Sequence, residues 1–314
     1  MSNAPLISVM VPVYNTESYV EETVRAILNQ TFNDFEVIII DDGSKDRSPQ
    51  ILQKLAAEDS RIKLTLRDNK GIVATRNEML AQSRGEFVVV NDSDDISLPT
   101  RLEKQLNFLR EHPEIVCVGS YFKLIDESGR FLRELRPPTT NDEIQKKALG
   151  GDSPLCHSSA MIRKNAMDAV NGYTPELKLA HDLGLWLKLG EIGSIANYPE
   201  GLVKFRLHEK SVSETKRYEQ RDFARQACEA AWKRRGISGQ FTASEPWRPG
   251  KDADSQFAYA LQYGWWAFRS GQRRTALHYG QRAISRKPFK LDGWRLALCA
   301  LVKPIPPDPS AGDS

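Results

Sequence analysis

Short apolar runs alternate with amphipathic segments along the first hundred residues of the chain. The apolar runs are rich in Val and Ile and end in polar residues, which is typical of buried strands. The segments between them repeat apolar residues at the spacing of one helix face. Strands that alternate with helices through short connections predict an α/β domain with a mostly parallel sheet and right-handed crossovers. The predicted strands are 6–13, 35–40, 61–66 and 87–90, and the predicted helices between them are 19–29, 49–58 and 72–82.

The pattern is less regular after residue 100, where apolar stretches and helical spacings still predict further elements. The turn at 126–129 joins two of these strands into a hairpin. The predicted elements are helices 101–111, 141–149, 164–170 and 183–191, a hairpin of strands 115–125 and 131–135, and strands 158–162 and 202–207.

The charge balance changes at residue 215. Residues 215–314 hold 18 Lys and Arg against nine Asp and Glu, a net charge of +9, whereas the remaining residues hold 26 against 32, a net charge of −6. We therefore predict a domain over 1–214 and a basic helical appendage over 215–314, with different partners. The appendage is predicted to contain a helix 218–235, a linker 237–254, helices within 255–301 that loosely resemble one tetratricopeptide-type hairpin, and a disordered tail from 303.

The cysteines and the apolar segments indicate a cytoplasmic protein. The four cysteines are far apart and form no CxxC pair, which is typical of buried, reduced thiols. The N-terminus shows no basic segment followed by an apolar run. No apolar run approaches the roughly 18 residues needed to span a bilayer.

Three carboxylates follow the predicted strand 87–90 within a few residues: Asp92, Asp94 and Asp95. Carboxylates so close together repel one another, and the fold does not require them, so the run predicts a cation site. The alternative is a solvated acidic turn that caps the helix beginning near Arg101.

A second acidic pair, Asp41 and Asp42, follows the strand 35–40. In open α/β sheets, ligands bind beyond the carboxyl ends of the strands, so the two acidic clusters are expected to lie near each other. Asp can accept hydrogen bonds from a nucleobase or a ribose, and Asp-x-Asp can hold a divalent cation that neutralises a diphosphate. Arg76 and Lys70 would add positive charge there, or would lie on a solvated helix face.

The chain lacks the motifs that three other classes of enzyme require. A phosphohydrolase with an Asp nucleophile needs Asp-x-Asp after the first strand, where this chain has Pro12-Val13-Tyr14-Asn15. A nicotinamide dehydrogenase needs G-x-G-x-x-G at that place. A nucleotidylyltransferase needs a Gly-rich first loop that carries Arg or Lys.

Four motifs stand in order in the first hundred residues: 9–15, 30–44, 69–77 and 91–95. Together they resemble those of the inverting glycosyltransferases of family 2, which have the Rossmann-like GT-A fold. A looser likeness continues through 156–163, 171–173, 181–186 and 206–208 but does not cover the last hundred residues. The resemblance implies a metal-dependent enzyme that moves a sugar from a nucleotide-diphospho-sugar, by expectation a UDP-sugar, to a hydroxyl with inversion. The Gln-x-x-Arg-Trp motif of processive synthases is absent, which favours one sugar per event.

The resemblance also implies roles for individual residues. Most members carry Glu-Asp where this chain has His181-Asp182, and an Asp where it has Gly184, so the acceptor contacts are expected to differ. The alternative for His208 is an ordinary strand-end histidine, and the alternative for Trp186 is a core position. The implied nucleotide contacts are Pro12, Val13, Tyr14, Asp41, Asp42, Arg76, Asp92 and Ser93; the implied ligands of Mn²⁺ or Mg²⁺ are Asp92, Asp94, Asp95 and His208; the implied base is Asp182; and the implied acceptor contacts are His157, His181 and Trp186.

The expected partners are a nucleotide-sugar donor and a saccharide or lipid-linked acceptor in bacterial surface polysaccharide biosynthesis, and not a nucleic acid. The basic appendage with aromatic residues such as Trp265, Trp266, Phe268 and Trp294 favours peripheral contact with an anionic membrane at its inner face. The alternative is an appendage used for packing or self-association, and the oligomeric state stays open. The rival function is a non-catalytic nucleotide-sugar-binding or scaffold protein.

Overall fold

The computed structural model describes residues 4–208, 217–243 and 252–304. Within these residues the chain forms nine strands and eleven helices. The strands are β1 (Ile7–Val13), β2 (Phe35–Asp42), β3 (Ile62–Arg67), β4 (Phe87–Val90), β5 (Ile96–Ser97), β6 (Ile115–Ile125), β7 (Phe131–Leu135), β8 (Met161–Arg163) and β9 (Ser194–Arg206). The helices are α1 (Val20–Leu28), α2 (Ser48–Glu58), α3 (Ile72–Gln82), α4 (Arg101–Glu111), α5 (Asn141–Gly150), α6 (Lys164–Ala169), α7 (His181–Leu189), α8 (Arg217–Arg235), α9 (Ala253–Arg269), α10 (Arg273–Arg286) and α11 (Leu291–Val302).

The strands form one sheet in the order β3-β2-β1-β4-β8-β6-β9-β5, and β7 pairs with β6. The first four strands in this order are mutually parallel, with Val9 opposite Val37 on one side and Val89 on the other. Strand β8 runs antiparallel to both β4 and β6, and β5 runs antiparallel to β9. The predicted α/β class with flanking helices is confirmed, and its parallel part is the four strands predicted from apolar runs.

Two hydrophobic clusters cover the two faces of this sheet, because successive residues of a strand point to opposite sides. Val9, Val11 and Ile39 belong to the cluster that includes residues of α1, α2 and α4. Met10 and Ile38 belong to the cluster that includes residues of α3 and α7. With both faces covered, every position of β1, β2 and β4 is buried, which explains why these strands show no polar alternation.

Three predicted elements differ from those observed. Strand 158–162 is instead a 3₁₀ turn, His157–Ser159, followed by β8. Strand 202–207 begins eight residues earlier, at Ser194, and Pro199 and the exposed Glu200 interrupt the apolar pattern of its first half. The helix predicted over 183–191 begins at His181, because its first two positions are polar and the apolar spacing starts only at Leu183.

The chain divides into two compact units. The described residues of the first are 4–122, 136–205 and 217–243, and those of the second are 123–135, 206–208 and 252–304. Helix α8 thus belongs to the first unit, although its basic composition led us to group it with the appendage. Its small buried residues, including Ala227, Cys228 and Ala231, pack against Leu183 and Leu187 of α7. The predicted boundary between 214 and 215 lies outside the described residues.

The second unit contains three consecutive helices, α9, α10 and α11. Gly271, with φ of +78°, ends the turn after α9. The Tyr279 hydroxyl donates a 2.9 Å hydrogen bond to Oδ2 of Asp126 in the β6–β7 turn. Residues 237–243 of the predicted linker have no regular structure, and the rest of it up to 251, like the tail from 305, lies outside the described residues. No helix in the described ranges has the length and apolar composition needed to cross a membrane.

Candidate functional site

The acidic loop after β4 is held in place by hydrogen bonds on both sides. The Asn91 amide donates to the carbonyls of Asp92 (2.8 Å) and Asp95 (3.2 Å). The Thr23 hydroxyl donates to the Ser93 carbonyl at 3.1 Å, and the Thr16 hydroxyl lies 3.1 Å from the Ser93 hydroxyl. These bonds fix the loop to its own turn and to the segment around α1, so the carboxylates project from a rigid frame.

Arg101 is completely buried beneath this loop. Its guanidinium donates to the Asn91 side-chain oxygen (2.9 Å), the Val90 carbonyl (3.0 Å), the Ser97 hydroxyl (2.8 Å) and the Gln105 side chain (3.0 Å). Burial lowers the pKa of Arg101 to about 10, so it stays charged at neutral pH. Sequence reasoning treated this residue only as a helix start. The available signal was a cationic residue shortly after an acidic run.

Asp92 is bound from two sides. Its Oδ1 accepts a 2.6 Å ion-paired hydrogen bond from Arg76, and its Oδ2 accepts a 2.9 Å bond from the Ser158 hydroxyl. The Arg76 side chain is 4% exposed and that of Asp92 is 30% exposed. Burial lowers the pKa of Arg76, but the charge of Asp92 and the bonds to Asp92 and Tyr173 outweigh it, so the pKa is raised. The solvated-face alternative for Arg76 is therefore wrong.

Arg76 connects Asp92 to a buried aromatic cluster. Its Nη1 lies 3.3 Å from Nε2 of His157, which lies 3.0 Å from the Tyr173 hydroxyl. Because Arg76 can only donate, Nε2 of His157 accepts and the ring proton resides on Nδ1. Burial, then the charges of Arg76 and His181, lower the pKa of His157 well below its usual value. Burial also raises the pKa of Tyr173 to about 12, so both rings are neutral near pH 7.

The cluster reaches the start of α7, where the predicted base stands. The His181 ring centroid lies 5.4 Å from that of His157 and 5.8 Å from that of Tyr173. Burial and the charge of Arg76 lower the pKa of His181, and the charge of Asp182 opposes them. The neighbouring Asp182 is partly exposed and accepts a 3.3 Å hydrogen bond from the Ser153 hydroxyl. Packed and hydrogen-bonded side chains thus join Asp92 to His181, the residue directly before Asp182.

Trp186 has no exposed surface and packs in the core beneath His157, with ring centroids 5.6 Å apart. A side chain without exposed surface cannot touch an acceptor, so its predicted acceptor contact is not supported. The core alternative for Trp186 is the one observed. His157 is also buried, whereas His181 retains partial exposure at the helix start.

The acidic pair after β2 shapes the loop before α3. Oδ1 of Asp42 accepts from the Lys70 backbone N–H (2.8 Å) and from Arg67, and Oδ2 accepts from the Gly71 N–H (2.9 Å). A carboxylate offers about four acceptor positions, so one position on Oδ2 remains. Oδ1 of Asp41 accepts from the Ser44 N–H, and its buried Oδ2 has no hydrogen-bond partner among the described residues. The Lys70 side chain is 61% exposed, which agrees with the alternative that this residue lies on a solvated helix face.

The loop after β1 is tied to the loop after β2. Asn15 has φ of +54°, its N–H donates to the Ser44 hydroxyl (2.8 Å), and its side-chain oxygen accepts from the Lys45 N–H (2.7 Å). The Tyr14 side chain is half exposed, so its ring is accessible to a ligand. Pro12 and Val13 are buried in β1.

The acidic loop fits a divalent cation that a diphosphate would help to bind. Asp94 is partly exposed at the end of the sheet, and Asp95 is 1% exposed. Within the described residues, no three His, Cys, Asp or Glu side chains are grouped to enclose a metal. Mg²⁺-type sites commonly use one or two carboxylates completed by water and substrate phosphates, so this arrangement suits such a cation. His208 belongs to the second unit, and its role as a ligand stays a prediction.

Residues 8–170, just over half of the chain, match the model described as glycosyl transferase family 2. The chain belongs to glycosyltransferase family 2. The resemblance predicted from the four motifs is thereby confirmed, and the protein is a glycosyltransferase. Its matched segment contains Asp41, Asp42, Arg76 and the acidic loop, but ends before Asp182.

One curated relative and two solved structures illustrate the likeness. The putative teichuronic acid biosynthesis glycosyltransferase TuaG of Bacillus subtilis strain 168 is 32% identical over 220 residues, 68% of this chain and 83% of that protein. Residues 1–349 of S. aureus TarS, crystallised with UDP-GlcNAc, align with a TM-score of 0.54 at 21% identity, covering 94% of this chain and 79% of that one. The mannosyltransferase PcManGT of Pyrobaculum calidifontis, in complex with GDP-Man and Mn²⁺, aligns with a TM-score of 0.55 at 19% identity, covering 96% and 82%.

These likenesses confirm the GT-A fold of this family 2 glycosyltransferase. They also place it among relatives that include enzymes of bacterial polysaccharide biosynthesis. The expected class of enzyme is therefore confirmed, whereas the roles assigned to individual site residues remain predictions.

Proposed function

We propose that this glycosyltransferase transfers one sugar from a nucleotide-diphospho-sugar to an acceptor hydroxyl, with inversion, in bacterial surface polysaccharide biosynthesis. The observation that carries the proposal is the continuous network from Asp92 through Arg76 and His157 to His181, next to Asp182. The network fixes Asp92, whose carboxylate is suited to a cation that a donor diphosphate would also bind, and it ends at His181, next to a carboxylate suited to base catalysis.

The nucleotide binds across the carboxyl ends of β1, β2 and β4 in this proposal. The half-exposed ring of Tyr14 lies against the nucleobase, and the remaining acceptor position of Asp42 receives an N–H of the nucleobase. Asp41, whose buried Oδ2 has no hydrogen-bond partner among the described residues, lies beside this contact, and Ser93 and Asp92 approach the ribose and the diphosphate. A UDP-sugar is the proposed donor, consistent with the UDP-GlcNAc complex of TarS, although PcManGT of the same fold was solved with GDP-Man.

Asp94 is the first proposed ligand of a divalent cation, Mn²⁺ or Mg²⁺, with Asp92 and Asp95 beside it. When bound, such a cation supplies positive charge that stabilises the diphosphate leaving group. Asp92 is directed by Arg76 and Ser158, so its carboxylate is fixed before any ligand arrives. Preorganised charge of this kind needs no rearrangement at the moment of reaction.

Asp182 is the proposed general base. Its carboxylate is partly exposed and accepts one hydrogen bond, from Ser153, so it retains acceptor capacity for an acceptor hydroxyl. It removes the hydroxyl proton as the oxygen attacks the anomeric carbon. Attack on the face opposite the leaving diphosphate inverts the configuration of that carbon.

The proposed acceptor is a saccharide or a lipid-linked saccharide, approached by His181 at the start of α7. The four cysteines are free and buried, which suits a reducing compartment. We therefore place the reaction on the cytoplasmic side of the cell, where an acceptor anchored in the membrane would present its sugar.

Asp182→Asn is the decisive test of the base. We expect nearly unchanged donor binding and loss of transfer, because the amide has the size of the carboxylate but cannot take a proton. Radiolabelled sugar transfer and calorimetric donor binding measure the two effects. Asp168→Asn, a change in an exposed ion pair with Lys164, is the matched control and should keep both. Near-normal turnover by Asp182→Asn would overturn the assignment.

Asp94→Ala tests the cation site. We expect it to weaken UDP binding in the presence of Mn²⁺ while leaving the smaller metal-free binding unchanged, because only the cation-mediated contact is lost. Calorimetric titration of UDP with and without Mn²⁺ measures both quantities. Equal metal-dependent affinity in the wild type and the variant would count against this ligand. A preceding thermal-shift panel of nucleotide-sugars would identify the nucleobase of the donor, since a ligand that binds the folded state raises the melting temperature of the protein.

A further inference from the structure

Helix α11 presents an apolar outer face. Five of its large apolar side chains are more than half exposed, and Phe289, just before the helix, is 98% exposed. Spaced three or four residues apart, they occupy one side of the helix. We call Phe289 together with these side chains the α11 face. Its members are Phe289, Leu291, Trp294, Leu298, Leu301 and Val302.

The opposite side of α11 is packed inside the second unit. Leu296, Ala297 and Ala300 are buried there. The approach to α10 is close, because a side-chain carbon added at Gly280 would lie 3.0 Å from the Ala297 backbone nitrogen. This contact fixes the rotation of α11, so the α11 face cannot turn inward.

The last helix of a stack of helical repeats usually has a polar outer face, which keeps the stack soluble. The α11 face is instead apolar and contiguous, and such patches mark contacts with other proteins or with membranes. The question is which of these covers it.

Charge favours an anionic partner. Residues 252–304 contain nine Lys and Arg but three Asp and Glu. Lys290, Arg295 and Lys303 border the α11 face, and Asp292 is the one acidic residue of α11. Two copies of the chain meeting through this face would bring these cations together, and like charges repel. Anionic phospholipid headgroups would attract them, by roughly 1 kcal/mol for each basic residue near the surface.

Trp294 is suited to the boundary between headgroups and acyl chains. Its indole N–H donates a 2.9 Å hydrogen bond to the Pro288 carbonyl. The ring can therefore leave water without an unsatisfied polar group, which would otherwise oppose burial. Of the aromatic residues that suggested membrane contact from the sequence, Phe268 is buried and Trp265 and Trp266 are only partly exposed, so Trp294 alone lies on the exposed helix surface.

We propose that the α11 face inserts into the headgroup boundary of a bilayer that contains anionic phospholipid, with Lys290, Arg295 and Lys303 at the phosphates. This docking site is separate from the transfer chemistry and does not depend on the donor or the base. It anchors the enzyme peripherally through one helix face, in the manner of interfacial helices.

The test is vesicle flotation of the full chain with phosphatidylcholine alone and with added phosphatidylglycerol. We expect binding that requires phosphatidylglycerol and decreases between about 0.1 M and about 1 M salt, where the screening length shortens from about 10 Å to about 3 Å. The double variant Phe289→Ser/Leu298→Ser should weaken partitioning by about tenfold or more, since burying even one such side chain is worth about that factor. Lys290→Glu/Arg295→Glu should abolish the dependence on phosphatidylglycerol.

The matched control is Ile192→Ser/Ile237→Ser, which removes two apolar side chains that are about half exposed in the first unit. It should bind vesicles as the wild type does. All variants change exposed residues, so unchanged melting temperatures verify that they fold. Absence of flotation, or equal flotation of the wild type and the Phe289→Ser/Leu298→Ser variant, would overturn the proposal. Dimerisation that this variant abolishes in analytical ultracentrifugation, without vesicle binding, would show that a second copy covers the face and would equally overturn it.

Discussion

The ion pair between Arg76 and Asp92 is asymmetric, and this asymmetry makes a quantitative prediction. The Arg76 side chain is 4% exposed, whereas that of Asp92 is 30% exposed and also accepts from Ser158. Asp92→Asn leaves a buried guanidinium without its counter-charge. Arg76→Met leaves a carboxylate that water and Ser158 still solvate. The two variants remove the same pair but leave different charges behind.

The expected loss in the free energy of unfolding depends on which charge each variant leaves behind. Removing one partner of a buried ion pair costs roughly 3–5 kcal/mol when the other charge is left buried, so Asp92→Asn should lower the free energy of unfolding by about that amount. Losing one charged hydrogen bond costs about 1.5–3 kcal/mol, so Arg76→Met should cost less. The double variant removes both charges and should lose less than the sum of the single variants, with a coupling of about 1–3 kcal/mol.

Urea denaturation followed by far-UV circular dichroism measures these free energies for the wild type, both single variants and the double variant. Asp168→Asn is the control, because its ion pair with Lys164 is surface-exposed and worth less than about 1 kcal/mol. An Arg76→Met variant less stable than Asp92→Asn would refute the assignment of the buried charge. Additive effects in the double variant would refute the pair as an energetic unit.

Two further predictions concern ionisation. Burial, and after it the charge of Arg76, lowers the pKa of His157 and His181 from 6.5. The unfolded state therefore binds more protons than the folded state below about pH 6.5, and the free energy of unfolding should decrease as the pH falls, by up to about 1.4 kcal/mol per pH unit for each histidine. Urea titrations at several pH values should give His157→Asn a pH dependence smaller by up to one proton than that of the wild type, and equal dependences would contradict this. Burial raises the pKa of the Cys117 and Cys156 thiols, and that of Cys228 to about 11. Ellman's reagent should therefore react with these three cysteines only after denaturation. Rapid labelling of them in the native protein would count against their burial.

The sequence was informative where local pattern decides structure. The apolar runs of β1, β2 and β4 lack polar alternation because both faces of these strands are covered. Carboxylates directly after such strands must lie at the carboxyl edge of the sheet, so the positions of Asp42 and Asp92 followed from topology alone. Helix α8 was assigned to the wrong unit because its charged residues dominate its composition. Its buried Ala227, Cys228 and Ala231 stripe was present in the sequence but carried less weight.

The contacts within the site depend on residues far apart in the chain, and sequence spacing holds no information about them. Arg76 meets His157 across 81 residues, and Asp92 meets Ser158 across 66. Arg101 is close in sequence to Asp92, but its buried guanidinium is satisfied by acceptors that include the Val90 carbonyl and the Gln105 side chain. A charged residue with a satisfied set of buried acceptors has the same sequence signature as a solvated one, so only the tertiary structure distinguishes them.

The histidine at position 181, where the family resemblance implies Glu, fits the charges around it. A carboxylate at this place would stand beside the cluster that Arg76 enters and would compete with Asp92 for the guanidinium. A neutral imidazole does not compete, because burial keeps the pKa of His181 low and the ring contacts His157 and Tyr173 through its faces and edges. Arg76 therefore stays committed to Asp92, and Asp182 is the one carboxylate at the start of α7. A histidine at position 181 thus leaves both the ion pair between Arg76 and Asp92 and the proposed base Asp182 in place.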